Sequence, residues 1–114
     1  MRGAFLRGAK MEGADLSDAN LDDADFSKCD LRNAKFDYAR ARNARFIKTN
    51  LAGASLEGTD LMNSLLGGMK VQGTKFDRAN LFRADAVGAV GDDKTSFRGA
   101  NVKFVRQVPK RNNG

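Results

Sequence analysis

The chain has 114 residues and a net charge of +6, with 20 Lys and Arg, 14 Asp and Glu, one Cys and no His. That length fits one domain, and the composition excludes an internal disulfide, a cysteine-rich zinc site and histidine-based acid–base or metal chemistry. There is no apolar run long enough for a transmembrane helix and no basic-then-apolar leader, so no membrane span is expected and a cytoplasmic location is.

The dominant signal is a period of five. Every fifth position from Leu6 to Ala86 is large and apolar in fifteen cases of seventeen, including Leu16, Phe26, Phe36, Phe46, Leu56 and Phe76. The position two residues earlier, from Ala4 to Ala89, is small in seventeen cases of eighteen. A helix repeats its face every 3.6 residues and a strand every two, so neither presents one apolar side with a period of five. The chain must turn once per repeat. One large and one small residue then point inward from each short straight segment.

Ala14-Asp15-Leu16-Ser17-Asp18, Ala19-Asn20-Leu21-Asp22-Asp23 and Ala24-Asp25-Phe26-Ser27-Lys28 resemble the pentapeptide repeat family. The likeness extends over roughly residues 4–104. It implies an all-β fold: a right-handed quadrilateral parallel β-helix, a solenoid with four pentapeptides per coil and about five coils. Stability in such a solenoid is a sum of coil–coil contacts. Leu16, Phe26, Phe36, Phe46, Leu56, Phe76 and Phe97 are the expected structural core.

The register slips once. Ala86 and Phe97 are eleven residues apart, so residues 87–96 contain one inserted residue, expected as a loop or bulge in the last coil. Met69 occupies a small-residue slot beside Gly67 and Gly68. A bulge in the wall is expected there, with the glycines relieving the crowding. The domain is read as 1–104, followed by a basic tail over 105–114 in which Pro109 suits an end. Arg98-Gly99-Ala100-Asn101 with Pro109-Lys110-Arg111 is similar to bacterial pentapeptide modules attached to secretion-associated proteins. No capping segment precedes the first repeat, and Leu6, Met11, Leu16 and Leu21 would lie on an open end. Either that end pairs, by self-association or with a partner, or the chain is a module of a longer protein.

Charge is uneven: −3 over residues 1–30 and +5 over 31–50. With coils of twenty residues, residue n lies beneath n+20. Opposite charges then stack: Lys10 with Asp30, Asp15 with Lys35, Asp25 with Arg45, Arg40 with Asp60, Glu12 with Arg32, and Asp22 with Arg42. These ladders account for most of the basic stretch. Binding of nucleic acid or another polyanion through Arg40, Arg42, Arg45, Lys48 and the tail is the alternative function. Tyr38 is the only Tyr, and no aromatic platform for bases is seen. The family likeness also implies DNA mimicry at gyrase, which the basic charge of this chain opposes.

Outward positions should be polar, yet Ile47, Met62, Leu65, Phe82 and Val87 are apolar. They map to one face and its adjacent corner in the third to fifth coils and are the candidate partner-binding surface. Asp37, Glu57 and Asp77 form an acidic column without a cleft or a ligand cage, so neither catalysis nor calcium binding is expected of it. Cys29 aligns with the inward Ala column as a packed thiol. Residues 91–95 lack the glycine spacing of a phosphate loop. The sequence therefore points to a non-catalytic protein–protein interaction scaffold. No catalytic residue, cofactor or metal is expected.

Overall fold

The computed structural model describes residues 2–107 and the backbone of 110–111. Each repeat closes in a β-turn. The Ala9 N–H donates to the Leu6 carbonyl at 3.0 Å, and Gly8, third in the turn, has φ +75°. Positive φ at that place alone defines a type II turn, which favours Gly and Asn. Gly, Asn and Asp hold most of these positions, but Lys28, Tyr38, Lys48, Arg78, Arg83 and Phe104 also take φ near +60°. Each such residue costs about 1–2 kcal/mol of local strain, which the ladder on either side must offset.

Between turns, one residue per repeat pairs in parallel with its counterpart in the next coil. The register is twenty residues, from Phe5↔Asp25 to Lys70↔Val90, so each coil carries four such bridges. The Asp25 N–H donates to the Ala4 carbonyl, while the Leu6 N–H donates to the Asp25 carbonyl. The third turn residue also donates across coils, as Gly8 does to Ser27 at 2.9 Å. One backbone N–H per repeat is left, at the second turn residue. Asp or Asn at the bridging position captures it: Asp15 accepts from Ser17, Asn20 from Asp22, Asp25 from Ser27 and Asn80 from Phe82, at 2.9–3.1 Å. This local bond explains the Asp and Asn that follow Ala in so many repeats.

The inserted residue is Asp92. From Lys75↔Ser96 to Asp85↔Arg106 the register is twenty-one, and at Val90↔Lys110 it is twenty again. Gly91 occupies a large-residue slot without a side chain, and Thr95 fills the space. Asp92 accepts from the N–H groups of Gly73 and Lys94, each at 3.0 Å, and its own N–H donates to Thr95 Oγ1. The ladder does not stop at residue 104. Arg106 pairs with Asp85, and β2 (Lys110–Arg111) lies parallel to β1 (Val90–Gly91). Pro109 lies outside the described residues.

The interior is a stack of phenylalanines from opposing walls. Phe26 and Phe46 stack at 5.2 Å, and Phe36 meets both edge-on at 5.8 Å. Phe26, Phe36, Phe46, Leu56 and Phe76 are fully buried. Leu16 and Phe97 are only half-buried, because each has a neighbouring coil on one side alone. Leu21, expected on the open end, is fully buried. The Gly3 N–H donates to the Asp22 carbonyl, the bond that Gly8 makes to Ser27, so residue 3 lies beneath residue 23 and Leu21 belongs to the second coil.

Thr residues in the small column use their hydroxyls across coils. Thr49 Oγ1 donates to the Phe26 carbonyl, Thr59 to Phe36 and Thr74 to Leu51, all at 2.7 Å. Ser64 Oγ, in the same column, is buried without a partner. Ser64→Thr supplies a hydroxyl held by the branched Cβ and a methyl group that would pack near Ala41, itself a small residue in a large slot. It is expected to raise stability by about 1 kcal/mol, read as a higher urea midpoint.

Met69 does not interrupt the ladder, although the turn bond from its N–H to the Leu66 carbonyl, made at the equivalent place in the neighbouring repeats, is not formed. Bridging continues unbroken through Leu65↔Asp85 and Lys70↔Val90. Met69 is fully buried because Ala86 leaves room in the next coil. Gly68 (φ +68°) is simply the left-handed turn residue, and a Cβ at Gly67 would meet nothing closer than 3.4 Å.

Candidate functional site

The bridge register fixes where each outward side chain stands. Leu65 lies on one face, between Arg45 and Asp85. Met62 and Phe82 occupy the corner before that face. Ile47 and Val87 occupy the corner after it. The five apolar residues therefore span a face and both of its corners, one corner more than expected. Val87 is 41% exposed, and Ile47, Met62, Leu65 and Phe82 are half-buried.

Two further residues complete this belt. Phe104, 75% exposed, meets the Phe82 ring edge-on at 5.6 Å. The Arg83 guanidinium lies 5.3 Å from the Phe82 ring and 5.9 Å from Phe104. Phe104 had a signal in the sequence. It sits at the left-handed turn position, where a bulky aromatic is uncommon. The register slip at Asp92 obscures that alignment.

The charged residues are arranged differently from a simple stack. The twenty-residue pairs are neighbours on the ladder, but the arginines lean diagonally. Arg40 pairs with Asp22 at 2.7 Å, and Arg42 with Asp60 at 2.6 Å. Of the six expected pairs, Glu12–Arg32 alone forms an ion pair among the described residues, at 3.5 Å. The others are displaced because Asp and Asn at bridging positions turn toward backbone N–H groups. Arg40 and Arg42 are thus engaged, and they stand with Arg45 and Lys48 on different sides of the coil rather than along one groove.

The acidic column is likewise engaged, by groups of the adjacent coil. Asp37 accepts from the Ser55 hydroxyl and the Glu57 N–H, and Asp77 from the Ser96 hydroxyl and the Arg98 N–H. Glu57 pairs with Arg78 at 3.2 Å. Among the described residues no group of three His, Cys, Asp or Glu is placed to hold a metal ion. Cys29 is buried, its thiol donates to the Leu6 carbonyl at 2.8 Å, and burial raises its pKa.

An apolar space of about 10 Å³ lies between Met69, Ala86, Phe97 and Val102, and a cleft of about 130 Å³ adjoins Gly88, Val90 and Gln107. Both fall below the several hundred Å³ typical of cofactor pockets.

The carboxylates tie stability to pH. Arg32, bonded to Asp30 at 2.7 Å, holds that carboxyl at about 2. The Ser17 N–H lowers Asp15, and the Gly73 N–H lowers Asp92. Burial pushes Asp22 upward, but hydrogen bonds from Arg40 and the Arg42 N–H leave it lowered overall. A folded pKa below the unfolded value gives stability that is complete above about pH 4 and lost as pH falls through the folded value. The melting temperature is therefore expected to be flat from pH 7 to about 5 and to fall steeply between about pH 4 and 2. Asp30→Asn should flatten that fall in a thermal scan series.

No helix among the described residues is long and apolar enough to cross a membrane. A comparison with curated protein sequences finds no match. The pentapeptide repeats family profile matches residues 1–27 and 29–68 in eight copies. Solved structures similar to this chain include a pentapeptide repeat protein from the Arabidopsis thaliana thylakoid lumen, 32% identical, with 94% of this chain and 72% of that one covered and a TM-score of 0.48. A trypsin-treated variant of QnrB1, a plasmid-mediated fluoroquinolone resistance protein, is 22% identical over 91% of this chain and 55% of its own, with a TM-score of 0.51. A pentapeptide repeat protein from Nostoc PCC 7120 is 25% identical over 85% and 83%, with a TM-score of 0.49. Repeats matched over most of the chain, each adding one inward large and one inward small residue to a ladder of coils, make this protein a member of the pentapeptide repeat family, with that family's right-handed β-helix fold.

Proposed function

We propose that this right-handed quadrilateral β-helix is a non-catalytic scaffold that binds another protein through its apolar belt. The observation that carries the reading is the run of Ile47, Met62, Leu65, Phe82 and Val87 at outward positions of successive coils, across one face and its two corners. Elsewhere the same positions are filled mainly by charged residues, Asn, Ser and Gly. Contiguous apolar surface of this kind marks contact sites, and Met and aromatic residues are favoured at interface cores. The engaged arginines and carboxylates supply register and solubility rather than a binding groove.

The test is affinity capture from the source organism's extract with the wild type and with Leu65→Asp/Phe82→Asp. Both positions point outward, so the double variant is expected to keep its fold and lose at least about tenfold of its capture. The captured complex should resist added salt. Capture that is equal for both proteins, or that disappears steeply with salt, would favour the polyanion reading instead.

A further inference from the structure

We infer that the corner formed by Phe82, Arg83, Lys103 and Phe104 binds a protein segment that places an apolar side chain next to a carboxylate. This rests on the protein-binding reading above and names the chemistry of the partner. Two kinds of group meet at this corner. Phe82 and Phe104 form an edge-to-face pair at 5.6 Å, and Phe104 is 75% exposed. Met62 lies one coil beneath Phe82 and extends the apolar surface. Arg83 lies over both rings, its guanidinium carbon 5.3 and 5.9 Å from their centroids. A guanidinium held over aromatic faces by cation–π attraction still has N–H donors to offer a carboxylate.

The cations at this corner are available. Neither Arg83 nor Lys103 makes an ion pair with a described residue, whereas Arg42, lower on the same corner, and Arg40 and Arg106, on the flanking faces, are engaged. Arg106 pairs with Asp85 at 3.6 Å and Arg42 with Asp60 at 2.6 Å. The corner thus offers a small positive charge beside an apolar surface, bounded by two carboxylates. Two free cations are too few for a phosphate backbone, which is held by a row of them and would run on past Asp60 and Asp85. A single carboxylate beside a Leu, Phe or Trp fits without meeting them. Desolvation of the charge by the aromatic pair gives the contact its specificity.

The probe is a phage-displayed library of random peptides, selected on the full chain, with affinities of the recovered peptides measured by fluorescence polarisation. Arg83→Asp reverses the charge and Arg83→Asn removes it. Both residues tolerate the left-handed turn position, and a matched melting temperature confirms that each variant is folded. The expected peptides carry Leu, Phe or Trp beside Asp or Glu. Their affinity should fall about tenfold or more with Arg83→Asp, and changing the peptide carboxylate to Lys should restore binding to that variant. Peptides without a carboxylate, or affinity indifferent to both Arg83 variants, would overturn this inference. If such peptides were still lost on Phe82→Ser, protein docking at the belt would stand without it. Binding that survives both Phe82→Ser and Arg83→Asp would overturn this inference, and if it also survives Leu65→Asp/Phe82→Asp it would end the belt reading as well. Recovery of no peptide together with binding of a single-stranded thymidine oligonucleotide would end both readings.

Discussion

Phe36→Ala is expected to destabilise the protein by about 3–5 kcal/mol, a large part of the stability of a domain this size. Phe36 comes from the wall opposite Phe26 and Phe46 and lies edge-on against both rings at 5.8 Å. Its loss opens a cavity that the stacked pair cannot close, because the backbone ladder fixes the spacing of the coils. Phe36→Leu retains most of the volume and should cost much less. Phe36→Asp would place an unpaired carboxylate between two phenyl rings and is expected to abolish folding. Urea unfolding followed by far-UV circular dichroism ranks the three. A soluble, folded Phe36→Asp protein would contradict the packing described here.

Gly91→Leu restores the large residue that the repeat calls for, yet it is expected to destabilise by about 1–3 kcal/mol. An added Cβ would lie 2.6 Å from Thr95 Oγ1 and 3.2 Å from Thr95 Cβ. Thr95 must then leave the slot, and its 2.7 Å bond to the Val71 carbonyl and the bond it accepts from the Asp92 N–H would be lost. Removing Asp92 at the same time should recover part of the loss, since it returns the coil to twenty residues and carries Thr95 away. Additive effects in such a double-variant comparison would show that Gly91 and the insertion are independent.

The coil was legible in the sequence because five is an uncommon period with one simple geometric solution. Two columns, large and small, fixed which side chains face inward, and the twenty-residue register placed Leu65 beside Arg45 and Asp85. The outward charges were less legible. Sequence spacing identifies ladder neighbours but not rotamers. Asp22 and Asp37 turn to backbone N–H groups of the adjacent coil, a choice made by an orphan donor rather than by charge. End effects were also hidden. Leu16 and Phe97 carry the same pattern as Phe36 but have a coil on one side only. Of the belt, the five outward apolar residues could be read directly. Phe104 and Arg83 needed the structure, because the added Asp92 changes the register by which residue 104 lies above residue 83.

The belt's role is tested most directly by site-specific photocrosslinking in cells of the source organism. A benzophenone amino acid at Val87, on the belt, is compared with one at Tyr38, 58% exposed on the corner between two other faces. The proposed scaffold predicts a discrete protein adduct from position 87 that is lost with Leu65→Asp/Phe82→Asp, and none of that mass from position 38. The same adducts from both positions, or an adduct at 87 that persists in the double variant, would contradict it.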